Sequence, residues 1–151
     1  MFRGNFTAKV DEKGRVSFPS KFRDLLEESG SSDICITNFK VDGYHCLDVY
    51  PQAKWLELEE RLRKKTEASP RVIKFFQNFY FPGVQECQVD GQGRILLSTR
   101  LRDYAGLGRE VVFTGIFDKL RIYSVENWNA VFAEGEANLP DDPDVVSMLG
   151  F

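Results

Sequence analysis

Residues 11–15 read DEKGR and residues 90–94 read DGQGR, and the organisation of the chain follows from that repetition. Each stretch is entered from a valine, Val10 or Val89, and left into an apolar run. An aspartate in first place accepts a hydrogen bond from the amide two residues on, and a glycine in fourth place supplies the positive φ of a tight reversal. Both stretches are therefore predicted hairpin tips. The arginine that follows, Arg15 or Arg94, opens the returning strand with its fork of donors facing outward. For either copy taken alone, an Asp to Arg ion pair that merely staples the turn, or plain loop solubility, competes with a recognition role.

Working outward, a shift of 79 positions lays FRGNFTAKVDEKGR (2–15) on FPGVQECQVDGQGR (81–94). Lys21, Phe22, Arg23 and Asp24 then fall on Arg100, Leu101, Arg102 and Asp103. Smaller shifts align DICIT (33–37) with EVVFT (110–114), LDVY (47–50) with LRIY (120–123), and Trp55 with Trp128. Gaps fall in loops, as a duplicated fold requires, so the repeat is read before any fold class.

The half-buried alternation of Phe6, Ala8 and Val10 predicts a strand over 5–10, returned by the turn into 15–18. Pro19 presets a first-turn φ, and Phe22, Leu25 and Leu26 recur at helical spacing, so 20–28 is an amphipathic helix ended by Gly30. Its counterpart starts from Ser98 as N-cap, with Leu101, Tyr104 and Ala105 on one face before Gly106. Strands follow at 34–38 and 47–50, and at 111–115 and 120–123. Each unit is β-turn-β-α-β-β.

The predicted divisions are a first unit (1–52), linking helices (53–80), a second unit (81–124), and a short helix with an acidic tail (125–151). Trp55, Leu58 and Leu62 mark one linking helix, with Arg61, Arg63, Lys64 and Lys65 near its negative pole. A second runs from about Arg71 to Tyr80, and its stripe of Val72, Phe75, Phe76 and Phe79 reads as core or subunit interface. The tail from Glu134 onward holds too little apolar content to fold alone and is expected to be mobile or docked.

Units of roughly half of 151 residues are near the size where a lone core is marginal, so the two should lean on each other or on other subunits. No stretch approaches the roughly 18 consecutive apolar residues of a membrane span, and MFRGNF lacks the regions of a signal peptide, so a cytoplasmic protein is expected. Cys35, Cys46 and Cys87 are odd in number and at no metal spacing, which reads as buried or reduced thiols. The only histidine, His45, sits in a turn beside Cys46, and no catalytic or metal signature accompanies it; no enzyme activity, metal or cofactor is expected.

The net charge of -3 hides a segregation. Residues 1–24 carry six basic against three acidic side chains, whereas no Lys or Arg follows Arg121. A positive face on an acidic protein is compatible with binding DNA.

FRG (2–4), VDEKGR (10–15), FPSKFRD (18–24), LDVYP (47–51), ECQVDGQGR (86–94) and LRDYAGL (101–107) resemble the MraZ family of bacterial transcriptional regulators, over nearly the whole chain up to Trp128. The resemblance implies a β-rich α+β fold: two tandem SpoVT-AbrB-like swapped-hairpin units forming an intramolecular pseudo-twofold barrel with peripheral helices. It further implies a homo-oligomer assembled as a closed ring, nucleoid-associated, that acts on double-stranded DNA, usually as a repressor of its own division and cell-wall gene cluster, at short G-rich promoter repeats. Arg15 and Arg94 fall on the arginines to which the family's recognition is ascribed. An arginine fork suits the O6 and N7 acceptors of guanine.

Around them, Lys13 is expected to contact phosphate or base, Gln92 is its uncharged counterpart, and Arg3, Lys9 and Lys21 are phosphate contacts. Asp11, Gly14, Asp90 and Gly93 shape the turns. The alternative is an AbrB-like antitoxin-type or scaffold module that binds a protein partner through its tail.

Overall fold

Strand pairing in the molecule crosses between the repeats. The structure, a computed structural model, describes residues 1–64, 69–138 and 140–150. In chain order the first repeat supplies β1 (Asn5–Lys9), β2 (Arg15–Ser17), α1 (Ser20–Glu28), β3 (Asp33–Val41) and β4 (Tyr44–Pro51). Helices α2 (Gln52–Lys64) and α3 (Pro70–Phe75) and a π-helical turn (Phe76–Tyr80) lead to the second repeat. That repeat supplies β5 (Gln85–Gln88), β6 (Arg94–Leu96), α4 (Thr99–Ala105), β7 (Glu110–Ile116) and β8 (Lys119–Ser124), followed by α5 (Val125–Asn138) and α6 (Pro143–Met148). The result is an α+β fold in which a six-stranded antiparallel sheet, ordered β1-β7-β8-β4-β3-β5, accompanies a separate two-stranded sheet, β2-β6.

The exchange is reciprocal. Strand β1 of the first repeat pairs with β7 of the second, Phe6 facing Phe113. Strand β5 of the second pairs with β3 of the first, Gln85 facing Ile36. Under the repeat alignment these two pairs are equivalent. The arms of the first predicted hairpin consequently splay: past the end of β1 an isolated bridge joins Val10 to Val16, and β2 takes β6 as its partner.

One core results, built from both halves. Val16, Phe18, Phe22 and Leu26 pack with Ile95, Leu97, Leu101 and Ala105 over the inner face of the sheet, which adds Ile36, Leu47, Phe113 and Ile122. Phe22 is fully enclosed and meets Phe6 edge-on at 4.9 Å between ring centroids. Burying one such side chain contributes about 1.5–3 kcal/mol, and a unit of half this length is near the size where a lone core is marginal.

The helix ends follow their sequence signals. Ser98 caps α4, accepting from the Leu101 amide at 3.2 Å, and Gly106 closes it with φ 64. Pro19 occupies the equivalent place before α1 and offers no side-chain cap. The β3–β4 tip turns on Asp42 and Gly43, both at positive φ, as a two-residue hairpin loop requires.

The second linking helix differs from its periodic reading. After Phe75 the backbone widens into the π turn, where the Phe81 amide bonds the Phe76 carbonyl at 3.0 Å. The extra residue rotates Tyr80 inward, and the turn is anchored by Asn38 Nδ2 donating to the Phe79 carbonyl at 3.0 Å. The aromatic stripe is therefore only half covered: Val72 stays exposed, while Phe75, Phe76 and Phe79 are half-buried. Of the basic residues expected on α2, Lys65 lies outside the described residues.

Beyond β8, α5 continues through Glu134 to Asn138, further than the short helix expected there; along it the rings of Trp128 and Phe132 meet at a tilt, and Trp128 packs on Tyr123. Among the described residues, no helix is long and apolar enough to cross a membrane.

Candidate nucleic-acid interface

Both turns close in the same way. Asp11 Oδ1 accepts from the amides of Lys13 and Arg15, each at 2.9 Å, and Asp90 Oδ1 accepts from those of Gln92 and Arg94 at the same distance. The second carboxylate oxygen takes the following arginine's Nε, at 2.7 Å in the first turn and 3.2 Å in the second. The amide of Arg15 foremost, then its side chain, holds the Asp11 carboxyl below the usual carboxylate range, and the amide of Arg94 does the same for Asp90. The staple is real, yet it does not exhaust the arginines. It uses Nε, and among the described residues the terminal nitrogens of both forks take no protein acceptor.

Gly14 and Gly93 adopt φ 85 and φ 76, and both are buried. Their burial has a cause that periodicity does not carry. The guanidinium of Arg102 lies against Gly14, and that of Arg23 lies against Gly93, so each turn is backed by the helix of the other repeat. Backbone bonds repeat the exchange: the Leu97 amide donates to the Gly14 carbonyl at 2.9 Å, and the Phe18 amide to the Gly93 carbonyl at 2.8 Å. Sequence reasoning noted Arg23 and Arg102 as equivalent helix residues but assigned them nothing. The only available signal was that equivalence.

The β2–β6 pair brings the two arginines onto one surface. Arg15 stands opposite Leu96, Val16 opposite Ile95, and Ser17 opposite Arg94. Val16 and Ile95 point into the core, so Arg15, Ser17, Arg94 and Leu96 share the outer face. Arg15 and Arg94 are diagonal neighbours on this antiparallel pair, a relationship that sets positions roughly 7–8 Å apart. Leu96 is 53% exposed between them, an apolar side chain on an otherwise polar face.

Around this centre the other candidates divide. Lys13 and Gln92 are exposed on the tips themselves, and Lys9 is exposed at the end of β1 that leads into the first turn. Lys21 is exposed in the first turn of α1, three residues after the Phe18 amide that binds the second turn. Its repeat equivalent, Arg100, is committed to the Asn38 side chain at 3.1 Å and the Gly83 carbonyl at 2.6 Å. Arg3 sits apart: it precedes β1 next to Gly115, at the far end of that strand from the turn.

The groups set aside as non-catalytic have structural occupations. His45 Nδ1 lies 2.9 Å from the Tyr104 carbonyl and its ring stacks on Tyr104 at 4.3 Å. Burial pushes the Cys46 thiol up to about 12 and the Cys35 thiol up to about 11, which makes both poor nucleophiles at neutral pH.

Comparison with known proteins agrees with the motif reading. A family profile described as "MraZ protein, putative antitoxin-like" matches residues 1–76 and 80–144. Proteins named Transcriptional regulator MraZ are similar throughout: that of Desulforamulus reducens is 41% identical over 91% of this chain and 92% of its own length. Its counterpart from Geotalea daltonii is 39% identical over 99% of each chain, and that from Lachnoclostridium phytofermentans is 36% identical over 97% of this chain and 93% of its own. On the profile match and these identities, the chain belongs to the MraZ family of transcriptional regulators.

Proposed function

We propose that this chain is a sequence-specific DNA-binding regulator that reads short G-rich promoter boxes with Arg15 and Arg94, and represses its own division and cell-wall gene cluster. The observation that carries the reading is the β2–β6 register, which sets two turn-anchored arginines on one outward face across a pseudo-twofold axis. A fork held by a carboxylate through Nε keeps little freedom to lose on binding, and its terminal nitrogens reach guanine O6 and N7; each such pair discriminates by about 1–3 kcal/mol. In this reading β1 and β5 are the exchanged arms of two AbrB-like swapped-hairpin units, and the reciprocal turn-to-helix contacts support it.

The two halves are not electrostatically equal. Lys13 adds a cation at the first tip where Gln92 stands at the second, so the first turn carries more of the phosphate attraction. Lys9 and Lys21 flank the face as further phosphate contacts, and Arg3 reaches only DNA that extends along β1. One box touched by so few side chains binds weakly. A closed ring presenting several such faces to tandem boxes gains affinity through effective concentration, without new contacts.

The test is fluorescence anisotropy of the wild type and of the Arg15→Ala, Arg94→Ala double variant. A duplex with tandem G-rich boxes is compared with a scrambled duplex across a salt series. The expected result is a wild-type preference for the tandem duplex, weakened by salt and absent in the double variant. Equal binding of both duplexes by both proteins overturns the reading. The antitoxin-type alternative predicts a protein partner whose binding survives Arg15→Glu with Arg94→Glu.

A further inference from the structure

The outward face of the β2–β6 pair departs from its own symmetry at one pair of positions. The repeat shift carries Arg15 onto Arg94, Val16 onto Ile95 and Ser17 onto Leu96, and the strand register sets Arg15 against Leu96 and Ser17 against Arg94. The pairing is thus its own image when the two repeats are exchanged, with Val16 and Ile95 at its centre. The two arginines obey that symmetry. Ser17 and Leu96 break it: a small hydroxyl stands beside Arg94, and an isobutyl side chain stands beside Arg15.

A single exposed leucine means little by itself. This one is placed. Ile95 and Leu97 on either side of it are enclosed in the core, and Leu96 faces outward, 53% exposed, while Arg15 and Arg94 expose 33% and 28% of their side chains. Its carbonyl accepts from Gln85 Nε2 at 2.8 Å, which ties the Leu96 backbone to β5 and fixes where the side chain stands. Directly opposed residues hold their Cβ atoms roughly 4.5–5.5 Å apart, so Leu96 lies beside whatever base Arg15 reads.

We propose that Leu96 is a specificity-determining residue that recognises a thymine methyl next to the guanine read by Arg15. Recognition by Leu96 rests on the arginine reading above and adds the base that accompanies the guanine. The C5 methyl of thymine is the apolar group that the major groove presents, and an isobutyl side chain removes it from water. Cytosine at the same place presents an amino donor, which leucine covers without offering an acceptor. Ser17 makes no such choice, because a hydroxyl both donates and accepts and so tolerates either base. The two halves of the face therefore differ in the bases they read, and Arg94 reads its guanine without a thymine beside it.

The experiment is selection from a randomised duplex library by the full chain as wild type, Leu96→Ser, Leu96→Met and Ser17→Leu. Both positions are exposed, and circular dichroism checks that each variant folds. The wild type is expected to enrich guanine with thymine on one side. Leu96→Ser should keep the guanine and lose the thymine, Leu96→Met should keep both, and Ser17→Leu should gain a second thymine beside the guanine read by Arg94. The enriched duplex is then remade with deoxyuridine for that thymine, which removes the methyl alone. Wild-type affinity should fall about fourfold per box, the worth of one buried methyl, and that of Leu96→Ser should not change. Equal thymine enrichment and equal deoxyuridine sensitivity in the wild type and Leu96→Ser overturn the assignment while leaving the arginine reading intact, as does guanine enriched by the wild type without thymine. A wild type that enriches no guanine overturns both.

Discussion

Asp48 and Arg121 occupy equivalent positions of the two repeats and meet each other: they are cross-strand partners in β4 and β8, with Arg121 Nε donating to Asp48 Oδ1 at 2.8 Å. Asp48 is completely buried, and Lys119 Nζ and the Tyr80 hydroxyl share its other oxygen. Burial opposes the Arg121 charge, but the carboxylate beside it outweighs that effect and raises its pKa. At the position where the repeats face one another, one carries a negative and the other a positive side chain. Pairing of unlike halves is thereby favoured, because two first halves would bring two buried carboxylates together.

Removing Asp48 leaves the largely buried Arg121 and Lys119 without the carboxylate they share. Asp48→Ala is expected to destabilise the fold by about 3–5 kcal/mol in urea unfolding. A double-mutant cycle with Arg121→Met should show strong coupling, so that the double variant is less damaged than the two single losses summed.

The turn glycines should respond unequally. A Cβ on Gly14 would stand 2.9 Å from the Leu97 carbonyl, which is backbone and cannot yield, as well as 2.8 Å from Arg102 Nε. The three atoms nearest to a Cβ on Gly93 all belong to the side chain of Arg23, which can swing aside. Both substitutions incur left-handed strain of about 1–2 kcal/mol. Gly14→Ala should therefore lower Tm more than Gly93→Ala, and adding Arg23→Ala should relieve part of the second and none of the first.

Acid should loosen the turns, and only acid. The folded-state carboxyls of Asp11 and Asp90 lie below their ordinary values, so their contribution is complete above the unfolded pKa of about 3.9 and disappears as pH falls through the folded one. Carboxyl NMR titration should show both midpoints below that value. Sequence preference for G-rich boxes should be flat between pH 6 and 8, where neither group titrates; a midpoint of the turns inside that window would contradict the assignment.

The two helix caps give a simple stability contrast. Ser98→Ala removes the bond to the Leu101 amide and should cost about 1 kcal/mol by urea unfolding. Pro19→Ala removes no side-chain cap bond, so its effect should come only from the freer unfolded chain and stay near half that size.

Local features were written in the residues because short-range physics decides them. The Asp, Gly and Arg spacing specifies the turns, Phe22, Leu25 and Leu26 specify one face of α1, and the recurrence of both at a fixed shift specifies a duplicated unit. The π turn escaped a periodic reading, because Tyr80 turns inward to meet Asp48, a partner 32 residues away. The route of each strand after its turn escaped as well. An alternating segment has the same pattern whether it returns on its neighbour or crosses to the other repeat, and burial chooses: exchanging β1 and β5 merges two marginal cores into one. Composition and spacing thus established two turn-borne arginines on a repeated scaffold, whereas their placement on one face, backed by Arg23 and Arg102 from the opposite halves, exists only once the chain has folded on itself.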